Sequence, residues 1–412
     1  MIAFHFPPFA GSSGVQRTLR FVQQLPRFGW QPIVLTAHPR AYEKTSQDLL
    51  KDIPKGVVVE RAFALDTARH LAIGGRYPGA LARPDRWKSW WLGAVPAGLR
   101  LIRQHRPAVI WSTYPIPTAH RVADQLHRLS GLPWIADFRD PMAQDGYPED
   151  PKTWVAFERI ERSAVAQAAC SIFTTRGAAG MYRSRYPENA DRMQVIENGF
   201  DEESFTGVTG GAPLIPGKTT LLHSGLIYPV ERDPTQFFET LTTLWKSGRI
   251  SPDTLHIRFR APAHDKLILG IAERLGVSPF VECLPPIPYR EALGEMMRAD
   301  GLLVMQAANC NEQIPAKVYE YLRSQRPLLG LTDPKGDTAD LMTRAGVRHI
   351  APLDAPDEIS RTLVAFLDGL RDGSVVAPAQ ELVARHSRLS RTSELADILG
   401  TIVHTDTRSG VA

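Results

Sequence analysis

The chain has 412 residues, 43% of them hydrophobic and 22% charged, an ordinary globular composition but too long for a single core, so two domains of roughly 200 residues are expected. Zinc-finger spacing, an aromatic RNP-like strand and a Lys/Arg block are all absent, which removes the usual signs of a nucleic-acid binder. No run of 18 apolar residues occurs, and the three cysteines, Cys170, Cys283 and Cys310, are too widely spaced for a disulfide framework or a zinc site. The net charge of +4 is uneven: residues 1–200 carry 26 Lys/Arg against 17 Asp/Glu and the remainder 22 against 27, so the first half is expected to face something anionic.

In chain order, residues 2–6 read as a short strand that feeds the loop Pro7-Pro-Phe-Ala-Gly11-Ser12-Ser13-Gly14, with a helix beginning near Val15. The opening residues lack the basic leader and apolar core of a signal peptide, which suggests a cytoplasmic protein. Small residues before a helix let backbone amides approach an anion, although a Gly-Ser-Ser-Gly run alone is more often a turn. Arg17, in the first helical turn, faces either a cleft or solvent. Strand candidates follow at 33–36, 57–59, 109–112, 134–137, 171–174 and 193–196, with helices in the gaps, as in a parallel sheet covered on both faces.

Residues 61–106 hold nine Lys/Arg and two acids, with Trp87, Trp90 and Trp91 interleaved. They form either a surface for a membrane or an acceptor, or a helix over roughly 87–105 with core tryptophans and solvated arginines. His120 lies at a helix start just after the strand at 109–112. Asp137, Arg139 and Asp140 lie at the end of the next strand, where Arg139 suits an ion-pair ladder and either aspartate can orient a hydroxyl.

Glu197-Asn-Gly-Phe-Asp201 is a turn that closes a first domain at residue 200, and the Gly/Pro-rich stretch 201–217 is a linker. A second domain over 218–385 opens with Thr219-Thr-Leu-Leu-His-Ser224, then Gly225-Leu226 and, further on, Arg232. Strands at 255–259, 280–283, 302–305 and 328–331 alternate with helices. The loop Leu284-Pro-Pro-Ile287-Pro288 is stiffened by three prolines. A further helical stretch is expected at 386–403, before a polar, disordered tail at 404–412.

The densest chemistry lies in the stretch from Glu312 to Glu320. An apolar strand, Gly301-Leu-Leu-Val-Met305, leads into a loop and then into Ile314-Pro315-Ala-Lys317-Val-Tyr-Glu320-Tyr321, a helix with Pro in its first turn. Val318, Tyr321 and Leu322 share one face, so Lys317 and Glu320 share the other flank. Amides at the positive helix end suit a diphosphate, and the two carboxylates suit sugar and ribose hydroxyls, with a solvated loop as the alternative for Glu312.

The Glu312-x7-Glu320 spacing, followed by Tyr-Leu and Arg-Pro-Leu-Leu, resembles the donor segment of family 4 retaining glycosyltransferases, and the resemblance extends over residues 2–400. It implies an α/β fold of two Rossmann-like domains facing a cleft (GT-B), with the helix at 386–403 returning to the first domain. It further implies that Glu320 binds the donor ribose and Glu312 the sugar ring, and that Gly225 makes room for a diphosphate held by Arg232, helped by Lys317. Where Arg commonly follows that glycine, this chain has Leu226. In the family the loop at Leu284 and Ile287 reads the nucleobase through its backbone. The 11–14 loop lies between donor phosphate and acceptor, and His120 contacts donor or acceptor. Arg17, Asp137, Arg139 and Asp140 are then acceptor-side candidates.

The activity implied is hexosyl transfer with retention from a UDP- or GDP-sugar to a glycan or lipid-linked acceptor, with no cofactor or metal, in the cytoplasm at the inner face of a membrane, which residues 61–106 contact if they are the surface rather than the helix with core tryptophans. A nucleotide-sugar epimerase or phosphorylase on the same fold, and a non-catalytic partner subunit, are the alternatives.

Overall fold

A computed structural model describes residues 1–10 and 14–409, with side chains through residue 404. It separates into two compact units, Met1–Glu197 with Arg388–Ala412, and Asn198–Ser387.

The first unit contains β1 (Ile33–Ala37), β2 (Val58–Ala62), β3 (Ile110–Thr113), β4 (Trp134–Arg139), β5 (Cys170–Phe173) and β6 (Met193–Val195), paired in parallel as β2-β1 and β3-β4-β5-β6. The strand expected at 2–6 is reduced to one bridging residue, Ile2, which pairs with both Leu35 and Ser112 and so joins β1 to β3. Beyond it the chain bends, with the Phe6 N–H donating to the Phe4 carbonyl at 3.1 Å. Pro7 and Pro8 follow and have no N–H to extend a ladder.

Strands buried on both faces read as near-continuous apolar runs, which is why β3 to β5 are so easily seen in the sequence. One sheet face packs under Trp90, Ala94, Ala119, Val122 and Leu126, and the other under Phe21, Leu25, Leu395, Ala396 and Leu399. The last three belong to the long helix Arg388–Ser409, which packs on the helix Gly14–Gln24; Thr392 Oγ1 donates to Gln24 Oε1 at 2.8 Å. That helix runs into the stretch expected to be a disordered tail.

For the tryptophans of 61–106 the structure favours the core. Trp90 has no exposed surface, while Trp87 and Trp91 pack against the same cluster, Trp87 donating from Nε1 to the Ala41 carbonyl at 3.0 Å. The two acids of this stretch are buried, Asp66 paired with Arg86 and Asp85 accepting from the Thr118 N–H and hydroxyl at 2.9 and 2.7 Å.

The second unit has one parallel sheet in the order β12-β11-β10-β7-β8-β9, built from β7 (Thr219–Ser224), β8 (Leu255–Arg260), β9 (Val281–Leu284), β10 (Gly301–Gln306), β11 (Leu328–Thr332) and β12 (Ile350–Ala351). The short β12 carries too little sequence to be anticipated. Central β10 is buried throughout, whereas β8 alternates. In β8, Leu255, Ile257 and Phe259 enter the core while His256, Arg258 and Arg260 meet Glu282 and Glu295.

The stretch expected to be a linker, 201–217, instead folds onto this unit. A turn of helix, Glu202–Phe205, buries Phe205 beneath the Arg323 guanidinium, 4.9 Å from the ring centroid, and Glu202 pairs with the same arginine.

Candidate functional site

At the C-terminal edge of the second sheet, β7 ends in His223-Ser224 and the chain turns at Gly225. Gly225 has φ of +105°, a conformation that an L side chain rarely adopts, and a Cβ there would lie 3.2 Å from Lys317 Nζ. The turn is fixed on both sides. Gly225 N–H donates to the Arg260 carbonyl (2.8 Å), Ser224 N–H to the Tyr321 hydroxyl (2.6 Å), and Ala307 N–H to the Glu231 carbonyl (2.7 Å).

Two cations converge on the Leu226 carbonyl, Arg232 Nη1 at 3.1 Å and Lys317 Nζ at 3.5 Å. The Arg232 guanidinium lies 5.2 Å from the Tyr228 ring centroid, and its Nε has no hydrogen-bond partner among the described residues. Lys317 also donates to His223 Nε2 at 2.7 Å. Burial, and then the repulsion of Arg232, hold the lysine ammonium well below its ordinary pKa; Glu320 opposes them. Two basic side chains are thus gathered on one partly dehydrated turn, with Glu320 and Glu231 close by, an arrangement suited to a polyanion.

Lys317 and Glu320 lie on the helix Ala316–Arg323, whose other face buries Val318, Tyr319, Tyr321 and Leu322. Pro315 occupies the N-cap position, one residue before the expected first turn, and Ile314 packs partly against the core. Glu320 accepts a hydrogen bond from the Tyr289 hydroxyl at 2.7 Å.

Glu312 is exposed, in a loop that Gln306 pins by donating from Nε2 to the carbonyls of Cys310 (2.8 Å) and Gln313 (3.0 Å). Glu312 and Arg232 both act electrostatically on the Cys310 thiol, which puts them in one neighbourhood. Beside this cluster a cleft of about 800 Å³ is lined by Leu226, Ala261, Ala263, His264, Leu284 and Pro285 among others. Ile287, proposed with Leu284, does not line it. Arg260 supports the rim by donating to the Pro285 carbonyl at 2.8 Å.

In the first unit several candidates turn out to be structural. Arg17 is buried and binds Asp137 through both carboxylate oxygens (2.8 and 3.3 Å) and the carbonyls of Ile196 and Glu197 (3.0 and 3.2 Å). Arg17 therefore joins the ion-pair ladder foreseen for Arg139, whose guanidinium also feels Asp140 and Asp137, and both Arg17 and the fully buried Asp137 are withdrawn from an acceptor. His120 is corrected as well. It has no exposed surface, lies against Phe138 and Trp134 with Nδ1 2.8 Å from Ser112 Oγ, and is held by burial at a pKa of about 3.

Arg139 sits instead at a bulge of β4 with φ of +61°, and its Nη1 lies 2.6 Å from where a Cβ on Gly14 would be. Asp140 is exposed beside it. His5, which the sequence did not single out, is nine-tenths buried and stacked on Phe9 at 4.3 Å; its Nδ1, without a hydrogen-bond partner among the described residues, is 3.2 Å from that same Gly14 position. Gly14, Arg139 and His5 thus meet at the start of the first helix. Gly11, Ser12 and Ser13 lie outside the described residues.

His223 was the other residue overlooked; its place at a strand end before Ser-Gly was the available signal. Among the described residues no group of three or more His, Cys, Asp or Glu is arranged to hold a metal ion.

Compared with solved structures, the chain has the fold of GT-B glycosyltransferases. The crystal structure of Anabaena Alr3699/HepE in complex with UDP superposes with a TM-score of 0.64 at 13% identity, covering 97% of this chain and 99% of that one. WaaG, a glycosyltransferase involved in lipopolysaccharide biosynthesis, gives 0.61 at 15% identity over 97% and 99%. Sucrose-phosphate synthase from Thermosynechococcus elongatus gives 0.64 at 13% over 98% and 99%. Residues 13–199 match the model of the glycosyl transferase 4-like domain. No curated protein sequence matches the chain.

Proposed function

We propose that the protein is a retaining glycosyltransferase that takes a hexosyl group from a nucleotide sugar. The observation that carries this reading is the convergence of Arg232 and Lys317 on one turn of the second unit, beside a cleft of about 800 Å³ that shares Leu226 with it. A diphosphate on the cations leaves its nucleoside for the cleft, with Leu284 at the wall, and brings the ribose toward Glu320. The glycosyl transferase 4-like domain and the UDP-bound structure of the HepE neighbour support the same assignment.

In the transfer, the bond between the anomeric carbon and the diphosphate breaks, with its electron pair leaving on the phosphate. The acceptor oxygen bonds the anomeric carbon on the same face, and its proton passes to the departing phosphate oxygen. Arg232 and Lys317 neutralise the leaving group, so no protein nucleophile and no metal is invoked.

The acceptor is a glycan or lipid-linked glycan, met on the side of His5, Gly14, Arg139 and Asp140. Work at the cytoplasmic face of a membrane is consistent with the stretch from Leu71 to Leu92. There Ile73, 88% exposed, bridges Arg76 across a Gly74-Gly75 turn, and Leu71, Leu81 and Leu92 are also exposed. No helix among the described residues is long and apolar enough to cross a membrane.

The test is to screen UDP- and GDP-sugars by thermal shift, then to offer the stabilising donor with membrane extract. Labelled sugar moved to a lipid or glycan, with the donor's anomeric configuration kept by NMR, supports the proposal. Binding without turnover makes the chain a non-catalytic partner, and turnover without acceptor makes it an epimerase or phosphorylase.

A further inference from the structure

We propose that His223 is the positioning residue of the diphosphate site: its buried imidazole holds the Lys317 amine against Gly225, so that a lysine from a distant helix supplies the cation that Leu226 does not. The inference rests on the donor-site reading above.

The tautomer is decided by the backbone. His223 Nδ1 lies 2.9 Å from the carbonyl oxygen of Leu303 on β10, which only accepts, so Nδ1 carries the proton and Nε2 is left bare. Lys317 Nζ, 2.7 Å from that bare nitrogen, is the donor. The imidazole has no exposed surface and packs against Phe259, which leaves the acceptor little freedom to move. A lysine is a flexible point charge on four carbons, and holding it in place before the ligand arrives removes an ordering cost from binding.

The surrounding charges favour the same arrangement. Facing the amine are Arg232 from the turn after β7, His223 from β7 and Glu320 from the lysine's own helix; Glu231 lies 3.9 Å from Arg232, and Glu312 is in the same neighbourhood. Burial first, and Lys317 second, keep the imidazole far below its ordinary pKa, so it stays neutral and does not repel the anion. Burial and Arg232 make the lysine reluctant to hold its proton until a diphosphate is present. A diphosphate beside the amine favours its charged form, so binding is expected to draw in a proton and to weaken as pH rises.

The experiment is calorimetric titration of the full chain with UDP, GDP and inorganic pyrophosphate, with uridine and guanosine as controls, from pH 6 to 9 in buffers of different ionisation enthalpy. Wild type is expected to take up protons with the nucleotide it binds. His223→Leu should lose about tenfold or more in diphosphate affinity, keep its nucleoside affinity, and shift the affinity midpoint to lower pH, because the ammonium has lost its acceptor. His223→Gln, which restores an acceptor, should move both values back. If the leucine variant does not fold, His223→Asn, too short to reach the amine, takes its place. Wild-type affinity and an unmoved midpoint in the leucine or asparagine variant overturn the inference. If wild type binds neither nucleotide, or Lys317→Ala binds diphosphates as wild type does, the donor-site reading itself fails.

Discussion

The Tyr289 hydroxyl donates to Glu320 Oε1 at 2.7 Å, linking the first residue of the helix after the proline-rich loop to the helix that carries Lys317. Glu320 is thereby held beside the cations rather than left to sweep through solvent. Carboxylate hydrogen bonds to hydroxyls contribute about 1.5–3 kcal/mol each, so Glu320→Ala is expected to weaken nucleotide-sugar binding by roughly 10- to 100-fold, and Tyr289→Phe by less. Calorimetry that finds donor affinity unchanged in a folded Glu320→Ala protein removes Glu320 from the site.

Arg232 and Lys317 share the Leu226 carbonyl, so the position occupied by Leu226 is close to both. Arg232→Ala is expected to lower turnover more than nucleoside binding, since in the proposed reaction the guanidinium faces the charge that develops on the leaving group. Lys317→Ala should weaken diphosphate binding, and adding Leu226→Arg should restore part of it. A double variant no better than the single one would show that residue 226 does not reach the phosphates.

Glu161 has no exposed surface and accepts from four donors: Ala143 N–H (3.0 Å), Arg185 Nη1 (2.6 Å), Tyr186 hydroxyl (2.8 Å) and Tyr182 hydroxyl. It anchors the loop after β4 to two helices. Removing one partner of a buried pair leaves the others unsatisfied, so Glu161→Gln should cost about 3–5 kcal/mol in urea unfolding, a loss that exposed carboxylates such as Glu149 should not reproduce.

His5 and His120 are both held at a pKa of about 3 by burial, with Arg139 adding to the effect at His5, against an ordinary value of 6.5. Between those values the unfolded chain binds protons that the folded one refuses, so stability is present near neutrality and is lost as pH falls below about 6.5. At pH 5 the loss is on the order of 2 kcal/mol for each histidine. Denaturant unfolding of His120→Leu should show that much less acid sensitivity than wild type; an identical pH dependence would mean that His120 is not buried in its neutral form.

Much of this was legible in the chain itself. Period-two and near-continuous apolar runs placed most of the strands, and the face shared by Val318, Tyr321 and Leu322 put Lys317 and Glu320 together on the other flank, because these patterns depend on residues a few positions apart. Gly225 and Arg232 were marked for a diphosphate only through the family resemblance. The pairing of His223 with Lys317 spans 94 residues and exists only because β7 and β10 lie side by side. Likewise, the burial of Arg17 on Asp137, the loss of His120 to the core and the folding of 201–217 onto the second unit were decided by which side chains the parallel registers bring together. Local sequence specifies what each residue can do chemically, whereas burial and partners are properties of the packed sheet, which no short window contains.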